Sequence, residues 1–155
     1  MKKLCFLISL ILTGSAIYSQ DYQTSAGVRG TFVSGLTVKH FTRQEAALEG
    51  ILSFGQWGMT ITGLFEKHAQ AFEVEGLNWY YGGGGHIGNW NDDYPLMSET
   101  GDNFVIGLDG IIGLEYKIQE IPICLSADYK PSLNLTGYPG FWGYGGALSV
   151  RYTFD

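Results

Sequence analysis

The sequence predicts an all-β protein, an eight-stranded antiparallel up-and-down transmembrane β-barrel with a polar interior filled by side chains. Three observations lead to this fold class. Apolar and polar side chains alternate along several segments with a period of two residues, which is the period of a β-strand. The segments are long enough to cross a bilayer, for which a tilted strand needs about 9 to 11 residues. An apolar leader at the N-terminus is typical of an exported protein.

The leader has the three parts of a secretory signal peptide. Two lysines form a cationic start, residues 4–12 form an apolar stretch, and small or polar residues follow up to Ser19. The apolar stretch is too short for a transmembrane helix, which needs about 20 residues. We therefore expect Sec-dependent export and cleavage after Ser19, with cleavage after Ala16 as the alternative. The signal peptide then covers residues 1–19 and the barrel covers residues 20–155.

The clearest alternation lies in the last third of the chain, in three successive segments. They cover residues 103–118, 123–135 and 144–155. In the first segment the odd positions include Asp109, Glu115 and Lys117, whereas the even positions are apolar residues or Gly. A turn at Ile121 and Pro122 separates the first two segments. A helical period fits none of the three, so each is predicted to be a β-strand.

Five weaker strand candidates precede this region. They cover residues 25–33, 36–41, 45–55, 59–69 and 77–88. The second of them loses its alternation after Phe41. The total is then eight strands, and bacterial single-chain barrels have an even number of strands.

The strand count sets the expected connections. With both termini in the periplasm, the external connections fall near residues 33–35, 54–58, 89–102 and 136–143. The third connection is the longest and is acidic, and both a solvated hairpin loop and a binding loop remain open for it. The segment 67–76 is long for a periplasmic turn.

The direction of the polar face separates a membrane barrel from a soluble sheet. In a membrane barrel the apolar face contacts lipid and the polar face lines the interior, whereas a soluble sheet buries its apolar face. The long strands, the leader and the aromatic residues near strand ends favour the membrane, where such aromatics form interfacial girdles. We therefore expect a monomer in the bacterial outer membrane, in contact with its lipid. A soluble periplasmic lipocalin-like carrier with an apolar interior is the alternative.

A polar face that points inward brings charges of both signs into the interior. The expected members of this ion network are Arg29, Lys39, Glu49, Glu66, Asp109, Glu115, Lys117, Asp128, Lys130 and Arg151. The interior of an eight-stranded barrel is just wide enough for side chains to fill it. Since unpaired charges are costly in such an interior, we expect these side chains to pair and to leave no open pore.

Composition and charge argue against several classes of function. Charged residues make up 15% of the chain, against about 25% in typical soluble proteins. Without its two leader lysines the chain keeps seven basic residues against fifteen acidic ones, so nucleic-acid binding is not expected. Cys124 is the only cysteine of the mature chain, which rules out an internal disulfide.

The sequence contains no motif that calls for a cofactor or a metal ion. The histidines His40, His68 and His86 stand apart, without the spacing of metal ligands. Gly82–Gly85 is rich in glycine, as a phosphate loop is, but a strand pattern follows it where a phosphate loop needs a helix. We therefore expect neither a cofactor nor a metal, and we interpret the glycines as structural.

One polar trio deserves a test as a catalytic site. Glu66 and His68 share a strand face, and Ser53 belongs to the preceding strand candidate. Such trios arise readily by chance among interior polar residues, and a nucleophile and its base must meet at hydrogen-bond distance. We predict no catalytic residues and no enzyme, with an outer-membrane lipid-modifying enzyme as the alternative.

The C-terminal strands resemble those of a known group. Small outer-membrane β-barrel proteins of Bacteroidota have similar segments to Glu-Tyr-Lys-Ile at 115–118, Ile-Pro-Ile at 121–123, Ser-Ala-Asp-Tyr-Lys-Pro at 126–131 and the ending at 145–154. The architecture is similar to that of the OmpA membrane domain and OmpX. The resemblance implies that the terminal aromatic residue, here Phe154, is read by the barrel-assembly machinery, although Asp155 follows it. The resemblance implies no activity.

The predicted role follows from this class of protein and not from a recognised site. We expect a small outer-membrane barrel with a structural or surface-interaction role in the cell envelope. A narrow channel or a binder for a small ligand, a lipid-modifying enzyme and a soluble carrier are the alternatives.

Overall fold

The computed structural model describes residues 22–30, 34–55, 58–90, 103–137, 139–143 and 145–154. The predicted signal peptide lies outside these residues, as do residues 91–102 of the predicted acidic loop and the C-terminal Asp155. Among the described residues, no helix has the length and apolar character needed to cross a membrane.

Ten β-strand segments make up the described secondary structure. They are β1 (Thr24–Gly30), β2 (Ser34–Arg43), β3 (Ala46–Gly55), β4 (Gly58–Gln70), β5 (Leu77–Trp90), β6 (Phe104–Lys117), β7 (Ile123–Tyr129), β8 (Ser132–Asn134), β9 (Gly140–Trp142) and β10 (Gly146–Phe154). Each described pairing between them is antiparallel. The sheet closes on itself because β1 pairs with β10 and β5 pairs with β6.

The ten segments form eight barrel strands. β7 and β8 both pair with β6 in one continuous register. Pro131 interrupts them because it has no N–H to donate, but its carbonyl still accepts the Gly110 N–H at 2.9 Å. β10 and β9 pair in turn with β7 and β8 and form the last barrel strand. The predicted eight-stranded antiparallel barrel is therefore confirmed.

The last barrel strand contains a bulge between β9 and β10. The two segments pair with β8 and β7 in registers that differ by one residue, so one extra residue lies on this strand. The predicted external connection 136–143 is therefore too long, because Gly140–Trp142 belongs to the barrel. The alternation does not reveal this segment, since a bulge changes the face on which the following residues lie.

The two faces of the sheet have opposite character. On β6, Leu108 is 54% exposed and the adjacent Asp109 is 6% exposed. On β2, Val38 is 50% exposed and the adjacent Lys39 is fully buried. The apolar face therefore points outward and the polar face inward. This arrangement is the reverse of the apolar interior that a lipocalin-like carrier requires.

Several apolar side chains occupy inward positions of the alternation, where a polar residue is expected. Phe41 is buried and packs edge-on against Tyr22 and His68, with ring centroids 5.2 and 4.8 Å apart. β2 therefore continues past Phe41, where the alternation predicted an end, and runs to Arg43. A second inward cluster consists of Ile51, Leu64, Tyr80 and Ile111. The interior thus holds apolar side chains as well as charged ones.

The glycine-rich part of β5 lies close to the backbone of β4. A Cβ atom on Gly84 would lie 1.8 Å from the carbonyl oxygen of Gly63, and one on Gly82 would lie 2.1 Å from that of Phe65. The approach of the neighbouring strand therefore excludes side chains at these two positions. Gly82–Gly85 lie within the strand and continue into His86, so they do not form a loop.

The two ends of the barrel are named here for orientation. The termini end carries Tyr22 and Phe154, and the opposite end is the loop end. At the termini end, residues 71–76 connect β4 and β5. This turn is shorter than the predicted segment 67–76 because residues 67–70 extend β4.

Candidate functional site

Five charged side chains meet in the barrel interior, and we call this group the central network. Its members are Lys39, Glu49, Glu66, Glu115 and Arg151. None of the five is more than 2% exposed. They come from β2, β3, β4, β6 and β10, so the network crosslinks strands around most of the barrel wall.

The two cations of the central network each contact more than one carboxylate. Lys39 Nζ lies 2.8 Å from Glu66 Oε2 and 3.2 Å from Glu115 Oε2. It also lies 3.7 Å from Glu49 Oε2. Arg151 Nη2 donates to Glu49 Oε1 at 2.7 Å, and its Nη1 donates to Glu115 Oε2 at 3.1 Å. Loss of either cation would leave buried carboxylates without a full set of partners.

Strand register explains how these residues meet. Lys39 and Glu49 lie directly opposite each other on β2 and β3. Glu115 lies opposite Ser126 on β7, and Arg151 donates to both of them, at 3.1 and 3.0 Å. Closure of the sheet then brings the pair on β2 and β3 to the group on β6 and β10. The order of residues along the chain does not indicate this last step.

Side chains outside the predicted ion network complete the central network. Thr37 donates a hydrogen bond to Glu49, and His68 Nε2 lies 3.1 Å from Glu66 Oε2. The hydroxyl of Tyr22, at the termini end, donates to Glu115 Oε1 at 2.5 Å. The available signal for Thr37 and His68 was their place two residues from a charged member of the same strand, which puts them on the same face.

Arg29 and Asp128 form a separate, bidentate ion pair nearer the loop end. Arg29 Nη1 donates to Asp128 Oδ2 at 2.6 Å, and Nη2 donates to Oδ1. The hydroxyl of Tyr80 donates to the same Oδ2 atom at 3.0 Å. Lys39 Nζ lies 4.0 Å from the centre of the Tyr80 ring, a cation–π contact. Tyr80 therefore connects this ion pair with the central network.

A third polar group, which we call the Asp109 cluster, joins β5, β6 and the seventh barrel strand. Asp109 accepts a hydrogen bond from Lys130 Nζ at 2.7 Å and lies 2.7 Å from His86 Nδ1. His86 Nε2 lies 3.0 Å from Asn134 Oδ1. The side chain of Lys130 is 18% exposed, so this cluster is the part of the polar interior that reaches toward solvent.

Lys117 does not join the interior network that the sequence predicts for it. Its Nζ donates to the carbonyl oxygens of Ile118 and Ile121 at 2.9 and 3.0 Å. Lys117 is the last residue of β6, and its long side chain therefore reaches turn carbonyls that need a donor. The other nine residues of the predicted set lie in the three groups described above.

The structure separates the trio considered for catalysis. Ser53 lies opposite Thr60 on β4, whereas Glu66 and His68 lie further along that strand. At about 3.3 Å per residue, the distance along the strand from Thr60 to Glu66 is about 20 Å. Ser53 therefore cannot transfer a proton directly to His68.

Two further expectations concern a metal ion and strand assembly. Across the residues that the structure describes, no group of three or more His, Cys, Asp or Glu side chains is arranged to hold a metal ion.

Phe154 ends β10 opposite Thr24 on the outward face and is 49% exposed. Its ring contacts that of Tyr152 at a centroid distance of 5.0 Å. The last strand thus presents an aromatic pair on the outer surface of the termini end.

Comparison with solved structures finds the same fold in another protein. The crystal structure of the N-terminal β-barrel domain of Pseudomonas aeruginosa OprF matches with a TM-score of 0.62 at 19% identity. The match covers 84% of this chain and 95% of that chain. No family model matches the sequence, and no curated protein matches it. The similarity to the OprF domain shows the fold alone: the chain is a closed antiparallel β-barrel.

Proposed function

We propose that this protein is an outer-membrane β-barrel with a structural or surface-interaction role in the cell envelope, and that it forms no open pore. The observation that carries the proposal is the central network, in which buried ions from five strands occupy the interior. The similarity to the OprF barrel domain supports the outer-membrane location. The resemblance of the C-terminal strands extends the proposal to an origin in the Bacteroidota.

The closed interior follows from the mutual dependence of the ion pairs. Lys39 and Arg151 share the carboxylates of Glu49 and Glu115. An open pore would require several of these contacts to separate together. Breaking a buried ion pair by removing one partner costs about 3 to 5 kcal/mol. Spontaneous opening of the whole network is therefore strongly unfavourable.

The outer surface of the barrel suits a lipid environment. Outward positions on the strands carry exposed Leu, Ile, Val and Phe side chains. Exposed aromatic residues lie toward both ends, with Tyr116 and Tyr152 at the termini end and Phe54 and Phe104 at the loop end. Aromatic residues at these levels form the interfacial girdles of membrane barrels.

The proposed outer-membrane location implies a route of biogenesis. The chain is exported by the Sec system, loses residues 1–19, and inserts as a monomer into outer-membrane lipid. The barrel-assembly machinery recognises the last strand through Phe154, whose side chain is exposed on the outer surface. The proposal includes no catalytic step.

Refolding of the mature chain in detergent, followed by reconstitution into planar bilayers, tests the proposal. We expect an unboiled sample to migrate differently from a boiled one on a gel and to resist protease. Single-channel recordings should show no large stable conductance. A large stable conductance of the wild-type chain would refute the closed interior. Folding without detergent and without a gel shift would refute the membrane assignment.

Two variants serve as the positive and the negative control for the conductance recordings. Glu115→Ala combined with Arg151→Ala removes two members of the central network and leaves Lys39 with its other two carboxylates. This variant should conduct measurably better than the wild-type barrel. Arg43→Ala, at an exposed position at the end of β2, should not change the conductance.

A further inference from the structure

The turn of residues 71–76 at the termini end, which we call the Phe72 turn, is held by its own hydrogen bonds. Val74 N–H donates to Ala71 O at 3.1 Å, and Ala71 N–H donates to Leu77 O at 2.8 Å. The N–H of Lys117 donates to Gly76 O at 2.9 Å and ties the turn to β6. The Phe72 turn therefore presents its side chains in a defined arrangement.

The backbone of the Phe72 turn is unusual for the residues that form it. Phe72 and Glu73 have φ angles of 52° and 55°, in the left-handed region that is unfavourable for residues with a Cβ atom. They are the two central residues of a turn closed by the bond from Val74 N–H to Ala71 O. Turns with two positive φ angles favour Asn and Gly at these positions. Local backbone preference therefore does not explain a phenylalanine here.

The side chain of Phe72 is displayed to the surroundings of the barrel. It is 81% exposed, the highest value among the large apolar side chains of the described residues. Val74, two residues further on, is 45% exposed. An exposed aromatic residue on a rigid turn has the form of a binding anchor, because aromatic anchors carry much of the energy of protein–protein interfaces.

The surroundings of Phe72 at the termini end are acidic. Within the described turns at this end, the exposed carboxylates are those of Glu45, Glu73, Glu75 and Glu120. The exposed cations near this end are Arg43 at the end of β2 and Lys67 near the end of β4, and the Nζ of Lys117 is engaged by turn carbonyls. The carboxylates outnumber the exposed cations, and Glu73 and Glu75 belong to the turn itself, so the charge here favours a partner that brings positive charge.

The position of the Phe72 turn favours an aqueous partner over membrane lipid. The outward aromatic pair Trp79 and Tyr81, with ring centroids 5.1 Å apart, marks the interfacial level on β5. Trp79 lies opposite Ala69 on β4, and β4 ends one residue later at Gln70, so Phe72 lies in the turn beyond the end of the strand. Phe72 therefore lies beyond this level, next to the exposed carboxylates of Glu73 and Glu75, which the hydrocarbon of a membrane would not accommodate.

We propose that the Phe72 turn docks into an apolar pocket rimmed by Lys and Arg on a soluble periplasmic protein. This inference rests on the proposed outer-membrane location, with the termini end facing the periplasm. Phe72 fills the pocket, Val74 extends the apolar contact, and Glu73 and Glu75 pair with the basic rim. The acidic residues steer the partner and set its orientation, and the aromatic ring supplies most of the affinity.

Photo-crosslinking in intact cells tests the proposal, with p-benzoylphenylalanine placed at position 72. We expect one dominant protein adduct, whose crosslinked peptide carries Lys or Arg next to apolar residues. The double change Glu73→Gln and Glu75→Gln should lower the yield of this adduct at least tenfold. The same photoreactive residue in place of Phe141, which is 70% exposed on β9, should not give this adduct.

Several results would overturn the docking proposal. They are adducts with lipid alone, absence of a protein adduct, a yield that does not depend on Glu73 and Glu75, or a crosslinked peptide rich in acidic residues. A second variant, Phe72→Asn with Glu73→Gly, fits the backbone of the turn and removes both the anchor and one carboxylate. Carrying the photoreactive residue at position 74, this variant should lose the adduct that the otherwise wild-type chain gives from that position. Retention of the adduct would also overturn the proposal.

Cell fractionation separates failure of this inference from failure of the proposed function. A chain that is present in the outer membrane and shows a heat-dependent gel shift, but gives no protein adduct from position 72, refutes the docking site alone. A chain found in the soluble fraction refutes the membrane assignment and, with it, the docking site.

Discussion

Arg151 on β10 donates to Glu49 on β3 at 2.7 Å, although β1 and β2 lie between these strands in the sheet. The two residues lie 102 positions apart in the sequence. The contact forms because closure of the sheet turns both inward side chains toward the barrel axis. Both partners are fully shielded from water, so each depends on the other for its stability in the interior.

Replacement of Arg151 by Met should lower the free energy of unfolding by about 3 to 5 kcal/mol, because buried carboxylates lose a partner. Equilibrium unfolding in urea, followed by the gel shift of the barrel in lipid vesicles, measures this change. Adding Glu49→Gln should recover part of the loss, since it removes one uncompensated charge. Arg43→Met, at an exposed position, should change the value by less than about 0.5 kcal/mol. Additive effects of Arg151→Met and Glu49→Gln would contradict the coupling.

Replacement of Tyr80 by Phe should lower the free energy of unfolding by about 1.5 to 3 kcal/mol, the usual range for a lost hydrogen bond to a charged group. The hydroxyl of Tyr80 donates to Asp128, and the side chain is fully buried. The neighbouring Tyr81 is 39% exposed on the outward face and provides the matched control. The same unfolding assay should show little change for Tyr81→Phe, and equal losses in the two variants would argue against a structural role for the hydroxyl.

Replacement of Gly84 by Ala should prevent efficient folding of the barrel. Its Cβ would lie 1.8 Å from the backbone oxygen of Gly63, a contact that no rotation of a side chain relieves. Replacement of Gly63 by Ala should be tolerated, because no atom lies within 4 Å of the Cβ position there. The fraction of each variant that reaches the heat-modifiable form on refolding distinguishes them. Similar folding yields would show that β4 and β5 do not approach as described.

Replacement of Phe72 by Asn together with Glu73→Gly should raise the free energy of unfolding by about 1 to 2 kcal/mol. Left-handed backbone costs an ordinary residue about that much at each position, but Asn relieves only part of this cost and Gly gains freedom in the unfolded chain. The urea midpoint of the reconstituted barrel measures the gain. Phe72→Ala alone keeps a Cβ atom in the same backbone conformation and should show little gain. A double variant no more stable than wild type would mean that the two positive φ angles carry no strain.

Much of the barrel could be predicted because a β-strand assigns its faces with a period of two residues. Leu108 and Asp109 are neighbours in the chain, and the first is exposed while the second is buried. The prediction failed where that period is interrupted or where packing overrides polarity. A bulge before Gly146 hides the segment Gly140–Trp142, and Phe41 points inward because Tyr22 and His68 provide an aromatic environment for it.

The sequence by itself determined which side chains face outward and which face the interior, because alternation acts locally and needs no knowledge of distant strands. Only the tertiary structure decided which interior charges meet. Lys130 contacts Asp109, whereas Lys117, on the same predicted face as Asp109, contacts turn carbonyls at the end of its strand. The physical reason is that these contacts depend on strand register and on closure of the sheet, which set the height of each residue along the barrel axis.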